Sequence, residues 1–570
     1  MNRLFACTVL LLAASPAFAA DANGYTAKYE CRAGAPYCNV DVSALVNQSC
    51  QQIISASTPW SNINWSNNVI CIEAGDHTAK GRLVLQSSGT SGARKVLRYF
   101  RSNDTDDDPW NQSAATQARL YAIDANAKKY WLIHRLTIDP SYGSTNGVEL
   151  LDGSNGNILN RMLIQRTDGR LVEIYGNNNT VQNSVLRTTK TRNDALENQC
   201  ISIANATNTT IVNNEAYDCN KASHIPGNSP SPGTVLENND FYVSTAGYTD
   251  CNGRFTPTGS CSIMEALISW KSGGSSDNPS KIIHNRLWGT RWADGNLIQA
   301  GDSPAISLSA TGDGDAGADY VVVQHNIITD SEVGIWNYWG GPDHNSILGN
   351  LLYGIKDRTP NLGGESGALT NWRMNNSEFY FNTVIDSSPW LRTNLAAAYN
   401  DVRCNVVINS GAQSGDNGPG VQIDYNAYYG VSSVSDSHAI TRSLVTRTSS
   451  ADYGTGTILR TGDTGQCVSG AESACFLFLV TQGGRTAATA PAYCTTLGCT
   501  VTDGTVQVKA IRGPYVYARK LKTSPSGEIA VVPYARVHVS APETGGCPSS
   551  TDPARPGSRS DIGIDNNLLY

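Results

Sequence analysis

Short runs of apolar or β-branched residues that end in asparagine recur through the middle of this chain. Successive asparagines of these runs lie 23, 30, 25, 47, 41, 24, 32 and 23 residues apart. A shortest step of 23 residues is what three short strands and three turns require. The nine asparagines are Asn160, Asn183, Asn213, Asn238, Asn285, Asn326, Asn350, Asn382 and Asn405. The repeat therefore predicts an all-β solenoid, namely a right-handed parallel β-helix.

The physics of stacked coils explains why asparagine recurs. One coil cannot bury its own apolar face, but stacked coils share a continuous core and pair their strands at a spacing of about 4.8 Å. Asparagine suits a repeated corner, because it tolerates left-handed backbone angles and can form hydrogen bonds with its copies in neighbouring coils. We therefore predict that this ladder is structural, and we assign none of its asparagines to catalysis.

The first residues indicate export. Residues 1–20 contain the basic Arg3, an apolar run from Phe5 to Ala14, and the segment Ala17-Phe18-Ala19, which together fit a signal peptide. No later segment reaches the roughly 18 consecutive apolar residues that a membrane span needs. We expect a secreted protein, extracellular or periplasmic, without a membrane span.

The mature chain divides into three predicted parts. Residues 21–68 form an N-terminal cap, in which apolar residues at helical spacing predict an amphipathic helix over 41–54 that plugs the first coil. Residues 69–430 form the parallel β-helix and its catalytic site. Residues 431–570 lack the asparagine repeat and are rich in cysteine, so they are predicted to be further strands or a second cap.

The cysteines agree with export. The chain has 15 cysteines, and removal of Cys7 with the signal peptide leaves an even number in a compartment where disulfides persist. A zinc site is a weaker interpretation, because no CxxC pair occurs. Five pairs close in sequence are predicted to staple loops: Cys31 with Cys38, Cys50 with Cys71, Cys251 with Cys261, Cys467 with Cys475, and Cys494 with Cys499.

The overall charge limits the possible partners. The chain carries 42 basic and 49 acidic residues, a net charge of −7, so it has no general basic surface and nucleic-acid binding is not expected. A negatively charged partner would need a locally basic cleft or a bound cation instead. We expect a monomer.

A family resemblance rests on two segments near the start of the helix. Ile70-Cys-Ile-Glu-Ala-Gly-Asp-His-Thr, followed by Gly81-Arg-Leu-Val-Leu-Gln-Ser-Ser-Gly-Thr90, resembles the first coil of secreted β-helix polysaccharide lyases of the chondroitinase B and alginate lyase type. Together with the asparagine ladder, the resemblance covers residues 69–430. It implies the fold, and it suggests β-elimination on a uronic-acid polysaccharide with Ca²⁺ as cofactor.

The repeat also indicates where a site would lie. The two longest steps, 47 and 41 residues, flank Asn285, and insertions on one face of a solenoid usually form its binding wall. If Ile268 and Trp270 point inward, alternation places Glu265 and Lys271 on the outer face.

The resemblance implies roles for these outer residues. The lyases have a glutamate calcium ligand a few residues before a catalytic lysine on such a strand, which implies that Glu265 holds Ca²⁺ and Lys271 removes the C5 proton. The spacing here is slightly longer than in the family. Where the family has an arginine followed by His-Gly, this chain has Gln299-Ala300-Gly301-Asp302, so Arg291 is the substitute for the general acid.

Further residues are candidates for substrate binding. Lys281 and Arg286 would form a basic group with Lys271 and Arg291, and outward aromatic rings could stack on sugars. A solvent-facing lysine beside a glutamate is otherwise a weak surface ion pair, and some of the aromatic residues could equally fill the core. The predicted substrate-binding set is Arg286, His224, Trp336, Tyr338, Trp372 and Arg373.

Three classes of function remain. The first is a lyase that cleaves a uronic-acid polysaccharide by β-elimination, from which an epimerase cannot be separated by sequence. The second is a glycoside hydrolase, which would need two or three clustered acids on adjacent coils, such as the outward Glu149 and Glu173. The third is a noncatalytic carbohydrate-binding or surface protein, for which an aromatic strip would suffice.

Overall fold

The computed structural model describes a large part of the chain between residues 39 and 533. Its helices are the short α-helix Ser43–Val46 and the 3-10 turns Trp60–Asn62 and Thr78–Lys80. Among the described residues, no helix has the length and apolar character needed to cross a bilayer. The described residues are 39–100, 109, 112–141, 143, 146–167, 169–187, 199–242, 266–289, 304–310, 317–329, 331, 333–337, 340–355, 367–460, 477–494, 498–511, 518–523 and 529–533.

Three long parallel sheets wind around one axis, and the chain visits them in the order A, B, C in each coil. Sheet A has the strands Gln52–Ile54, Val69–Glu73, Lys95–Phe100, Trp131–His134, Ile158–Asn160, Thr180–Gln182, Thr210–Val212, Val235–Glu237, Ser280–Ile283, Val321–Gln324, Ser346–Leu348, Glu378–Tyr380, Asp401–Arg403 and Gln422–Asp424. Sheet B has Gly75–Asp76, Ala118–Leu120, Thr137–Ile138, Leu163–Gln165, Val185–Arg187, Glu215–Tyr217, Asp240–Tyr242, Arg286–Trp288, Ile327–Thr329, Leu351–Tyr353, Thr383–Ile385, Val406–Ile408, Ala427–Tyr429 and Ile440–Arg442. Sheet C has Leu83–Val84, Ile123–Asp124, Val148–Leu150, Val172–Ile174, Gln199–Ile203, Lys221–Ile225, Ile268–Trp270, Pro304–Leu308, Val333–Asn337, Gly367–Asn371 and Leu391–Thr393. The predicted right-handed parallel β-helix is confirmed.

The core is a stack of inward side chains, with one register line for each sheet. In a three-residue strand of sheet A the middle residue points inward, and in-register pairing places it directly against its copies in the neighbouring coils. Burial of each such side chain contributes about 1.5–3 kcal/mol. The line in sheet A runs through Ile70, Leu97, Ile133, Leu159, Val181, Ile211, Leu236, Ile282, Val323, Ile347, Phe379 and Val402, all of which are buried.

The corner between sheets A and B carries the asparagine ladder. Each ladder asparagine receives a backbone N–H from the preceding coil on its Oδ1, at 2.9 to 3.0 Å, and its own Nδ2 donates to a backbone carbonyl. The ladder residues are Asn214, Asn239, Asn285, Asn326, Asn350, Asn382, Asn405 and Asn426. The predicted structural role of the repeat is confirmed.

Four of the nine predicted ladder positions are wrong. Asn160 is the last residue of the strand Ile158–Asn160, and Asn183, which has a φ of 53°, is followed by Ser184. Asn213 and Asn238 have φ values of 56° and 54°, and they occupy the left-handed position just before the ladder residue. The corner needs both a left-handed residue and an amide, and asparagine suits either position. The motif Asn-Asn at these coils therefore does not reveal from sequence alone which asparagine forms the ladder.

The helix predicted over 41–54 is wrong. Only Ser43–Val46 is α-helical, and Gln52–Ile54 is a strand that pairs in register with the strand Val69–Glu73. The disulfide between Cys50 and Cys71 holds this strand beside the first coil. The apolar residues at 53 and 54 therefore alternate across a strand instead of sharing a helix face.

The N-terminal segment, within residues 39–54, lies on the outside of the parallel β-helix. Val42 belongs to an apolar cluster with Val69 and Val96, which point outward from sheet A. The backbone N–H of Val40 donates to Gln182 Oε1 at 2.8 Å, several coils further along. In the described residues this segment therefore covers the outer face of sheet A, in contrast to the plug predicted across the first coil.

The section after the last coil forms sheets that are mostly antiparallel, with one parallel pair between Leu444–Thr446 and Ile458–Arg460. A five-stranded sheet is built from Leu444–Thr446, Ile458–Arg460, Leu477–Gln482, Val506–Ile511 and Thr500–Asp503, and two-stranded ribbons pair Asp452–Tyr453 with Gly484–Arg485 and Ala518–Thr523 with Ile529–Pro533. Its residue Ile458 packs in one cluster with outward apolar residues of sheet B, among them Leu351 and Val406. This section therefore covers the flank of sheet B over the last coils.

Two of the predicted disulfides are present, between Cys50 and Cys71 and between Cys494 and Cys499. A disulfide that was not predicted joins Cys200 at the start of a sheet C strand to Cys219. Cys404 is also disulfide-bonded. The predicted pairs of residues 31 with 38, 251 with 261 and 467 with 475 lie outside the described residues.

Candidate functional site

One column of outward side chains runs along sheet C. Strand pairing aligns one residue from each of ten successive coils, at a spacing of about 4.8 Å per coil. Every member is polar, charged or amphipathic. In order along the helix the column consists of Asp124, Glu149, Glu173, Ser202, His224, Ser269, Ser307, Trp336, Thr370 and Arg392. We call it the sheet C column.

The first part of the sheet C column is acidic and internally paired. Glu149 forms an ion pair with Arg82, and Glu173 forms one with Arg170. Asn146 Nδ2 lies 3.1 Å from Glu149 Oε1 and 2.6 Å from Glu173 Oε2, so it bridges the two carboxylates. Both glutamates are buried. This arrangement is a saturated hydrogen-bonded network at the start of the column.

The centre of the column combines one imidazole with hydroxyl groups. His224 pairs in register with Ser202 on one side and with Ser269 on the other. Its Nδ1 lies 3.0 Å from the backbone oxygen of Ser269. His224 is 5% exposed, and the serines beside it are also buried. The imidazole is therefore held in a fixed orientation within a sheltered part of the outer face.

Lys271 lies at the edge of the same surface. Ile268 and Trp270 are buried in the core, as predicted, so Lys271 follows the strand on its outer side. Its backbone N–H donates to the carbonyl of Ile225 at 2.8 Å. Because it lies two residues beyond Ser269, the Cα of Lys271 is about 8 Å from that of His224. Lys271 is half-buried, and alternation continued from Ser269 places it on the side of the column.

Aromatic and cationic groups occupy the far end of the column. Trp336 is half-buried and pairs with Thr370, and Arg392 follows one coil later. The guanidinium carbon of Arg392 lies 5.9 Å from the centre of the Trp372 ring. The backbone N–H of Arg373 donates to Asn337 Oδ1 at 2.7 Å. This end offers ring faces and positive charge.

The alignment of this end differs from the sequence prediction. Thr370 lies beside Trp336, and Asn371 lies beside Asn337, so Trp372 is two residues further along than the position of Trp336. Trp336 and Trp372 therefore do not share one column. The outward strip is staggered across two columns of the same face.

The predicted basic group is not one cluster, because its members lie on different sheets. Arg286 is on sheet B, where its Nε pairs with the buried Asp240. Lys281 is on sheet A, between Val235 and Val322. Of the described members of that group, only Lys271 lies on the face of sheet C.

Three predicted residues, Glu265, Arg291 and Tyr338, lie outside the described residues. The predicted calcium ligand is thus among them. Within the described part of the chain, no group of three or more His, Cys, Asp or Glu side chains is arranged to hold a metal ion. The calcium site predicted at Glu265 stays a prediction.

The serines of the column and Arg392 were not among the predicted site residues. The steps between neighbours in the column vary widely, since His224 and Ser269 are 45 residues apart, whereas Ser202 and His224 are 22 apart. Unequal insertions between sheets B and C hide the alignment. The asparagine ladder fixes the register of each coil. Counting from that register across each insertion could have predicted which residues align in the sheet C column.

Comparisons with known proteins give structural likenesses of low similarity. No protein-family model and no curated protein matches the sequence. A mannuronic acid specific polysaccharide family 6 lyase from human gut microbiota is 10% identical, with a TM-score of 0.40, over 69% of this chain and 86% of that chain. A family 28 exopolygalacturonase of Yersinia enterocolitica is 10% identical, with a TM-score of 0.39, over 65% and 78%. A surface adhesin of Streptococcus pneumoniae is 12% identical, with a TM-score of 0.41, over 75% and 91%. These similarities are too low to support an argument about activity.

Proposed function

We propose that this chain is a secreted polysaccharide lyase that cleaves a uronic-acid polysaccharide by β-elimination on the outer face of sheet C. The observation that carries the proposal is the middle and far part of the sheet C column, from His224 to Arg392, with Lys271 at its edge. Proton-transfer groups, ring faces and positive charge lie there on one side of a rigid scaffold. The disulfides among the described residues are typical of an exported protein.

The chemistry of a uronic acid matches these groups. Elimination removes the weakly acidic proton on C5, forms the C4–C5 double bond and breaks the bond from C4 to the glycosidic oxygen, which takes up a proton. The negative charge that develops at the carboxylate is stabilised by nearby cations. Lys271 and Arg392 are cations on this face, and Trp336 offers a ring for a sugar to stack on.

Hydrolysis is the second candidate, since the first part of the sheet C column has acids on three consecutive coils. Asp124, Glu149 and Glu173 are in register, which meets the requirement for clustered acids. However, the two glutamates already bond to Asn146 and to Arg82 and Arg170. Delivery of a proton to a glycosidic oxygen would first require these contacts to break, so we rank hydrolysis below elimination.

The experiment is an assay for the unsaturated product. Purified protein is incubated with alginate, pectate, glucuronan and glycosaminoglycans, with Ca²⁺ or with a chelator, and the ultraviolet absorbance of the C4–C5 double bond is followed. We expect one acidic polysaccharide to give this product, and we expect Lys271→Ala to lose it. Lys281→Ala is the matched control, because that lysine lies on sheet A and its loss should leave the rate unchanged.

Other outcomes identify the alternative. New reducing ends without the double bond would indicate hydrolysis, and Glu173→Gln should then abolish them. Binding without either product would indicate a noncatalytic carbohydrate-binding protein.

A further inference from the structure

Residues 39–46, which we call the strap, are tied to the outer face of sheet A by side-chain amides. The backbone of Val40 makes two hydrogen bonds with Gln182: its N–H donates to Oε1 at 2.8 Å, and its carbonyl accepts from Nε2 at 2.9 Å. Asn39 Nδ2 donates to Asn183 Oδ1 at 2.9 Å. Because a backbone N–H only donates and a carbonyl only accepts, Val40 fixes which way the amide of Gln182 faces.

The orientation of Gln182 is passed on to His134 through Asn160. Gln182 Nε2 and Asn183 Nδ2 both donate to Asn160 Oδ1, at 3.1 and 3.0 Å. The other end of that amide, Nδ2, therefore faces His134 and lies 2.8 Å from its Nδ1. An NH₂ group only donates, so Nδ1 of His134 carries the lone pair and Nε2 carries the hydrogen. The bound strap thus selects one neutral tautomer of this imidazole.

We propose that the strap is released from sheet A when His134 is protonated. A hydrogen on Nδ1 would face the NH₂ group of Asn160, which is a contact between two donors. Turning the Asn160 amide over would satisfy the imidazolium but would place its NH₂ against the donors of Gln182 and Asn183. These four side chains are buried, so a lost hydrogen bond leaves a buried polar group without a partner. The cost weakens the hold of Gln182 on the strap.

The charged groups around His134 oppose its protonation while the strap is bound. In register, His134 lies between Arg98 of the preceding coil and Asn160 of the following one. Burial first, and then the positive charges of Arg135, Arg161 and Arg98, hold the pKa of His134 well below its ordinary value. The strap carries one charged residue, the exposed Asp41. A backbone hydrogen bond within the strap lowers the pKa of Asp41, so this carboxylate stays ionised above about pH 4.

The direction of the pH effect follows from the lowered pKa of His134. Once the strap has left, the ring titrates closer to its ordinary value of about 6.5. The bound state therefore takes up fewer protons than the released state. The hold is complete above about pH 6.5 and is lost as the pH falls below it, by up to about tenfold in the equilibrium constant for each pH unit.

Release would be local and would uncover apolar surface. The disulfide between Cys50 and Cys71 keeps the chain beside the first coil after the strap has left. Val42 of the strap packs in one cluster with Val69 and Val96 on the outside of sheet A. Protonation of one histidine is thus linked to the exposure of an apolar patch on sheet A.

The test is hydrogen exchange of the full chain between pH 7.5 and pH 4.5, measured by mass spectrometry and corrected for the intrinsic pH dependence of exchange. We expect the protection of strap peptides to fall by up to about tenfold per pH unit below about pH 6.5. Peptides from the strand Ser346–Leu348 should keep their protection.

A variant and a control identify the histidine. His134→Gln has a side-chain oxygen that can accept from Asn160 and does not titrate, so its strap should stay protected over the whole range. His344→Asn is the matched control, because His344 lies at another corner with a φ of 55°, a conformation that suits asparagine. Its strap should respond to pH as in the unmodified protein.

Asn160→Asp should reverse the response. One oxygen of the new carboxylate can accept from Gln182 and Asn183, and the other can accept from protonated Nδ1 of His134. The strap should then stay bound at pH 5, where the unmodified protein releases it. Constant strap protection in the unmodified protein, or a pH response that persists in His134→Gln, would overturn the proposal. Should His134→Gln fail to fold, release of the strap at pH 5 in Asn160→Asp would overturn it equally.

Discussion

Sheets B and C have different outer faces over the same last coils. On sheet B the outward residues there are apolar and buried, including Ile327, Leu351 and Val406. On sheet C the residues of the corresponding coils include Trp336 and Arg392, which are half-buried. The chain's own C-terminal section covers sheet B. The C-terminal section therefore buries the apolar outer face of sheet B, whereas the described outward residues of sheet C in these coils are polar, aromatic or charged.

In the earlier coils the outer faces of sheets B and C are more alike, because both carry acidic residues. On sheet B the buried Asp139 pairs with Arg166, and the buried Asp240 pairs with Arg286. On sheet C the glutamates are paired with arginines in the same way. Acids that already have partners are thus common to both sheets. A histidine among serines, followed by tryptophan and arginine, is the feature of sheet C that sheet B does not share in its described residues.

The largest effect on stability is expected when a charged residue is placed on the covered face of sheet B. Val406→Asp would place a carboxylate at a position that is fully buried under the C-terminal section. We expect a loss of about 4 kcal/mol or more in the free energy of unfolding, or a failure to fold, because a buried charge without a partner is costly. Urea denaturation followed by circular dichroism measures it. A loss below 1 kcal/mol would mean that this face is not covered in solution.

An intermediate effect is expected at the corner where sheet B begins. Asn326→Ala removes a side chain that bonds to Asn285, to Asn350 and to the carbonyl of Ile282. The buried groups left without partners should cost about 2–4 kcal/mol in the free energy of unfolding. Gln324→Ala, on the same coil but half-buried, is the control and should change stability by less than about 0.5 kcal/mol. Equal losses in the two variants would argue against the ladder as a stabilising element.

The parallel β-helix could be predicted from the sequence because its repeat is local. Each coil must turn the same corner, so the asparagines mark the coils even where insertions differ in length. The flanking segments were harder to predict. The apolar residues at 42, 45, 53 and 54 fit a helical period, but strand pairing with the residues at 70 to 72 uses the last two differently. Tertiary pairing decided between two patterns that the short sequence supports equally.

The candidate site was predicted less completely, for a related reason. The placement of Lys271 on the outer face assumed that Ile268 and Trp270 point inward, and both are buried in the core. Arg286 is near Lys271 in sequence, yet it lies on sheet B, because the turn at residues 284 and 285 carries the chain from sheet A to sheet B. Neighbours in a β-helix site come from successive coils, so closeness in sequence is a poor guide to which side chains meet.

The smallest effect on stability, and a selective effect on binding, is expected at the far end of the sheet C column. Arg392 is half-buried, and its stacking on Trp372 contributes about 0.5–1 kcal/mol, so Arg392→Ala should unfold at nearly the same urea concentration as the unmodified protein. If this face binds an acidic polysaccharide, the loss of a cation should raise KM several-fold, leave kcat unchanged and matter less at high salt, where charges are screened. Arg392→Lys keeps the charge and should retain most of the affinity. An equal loss of affinity for a neutral oligosaccharide would show instead that Arg392 acts through the shape of the surface. The outer faces of sheets B and C would then differ in coverage but not in selectivity for charge.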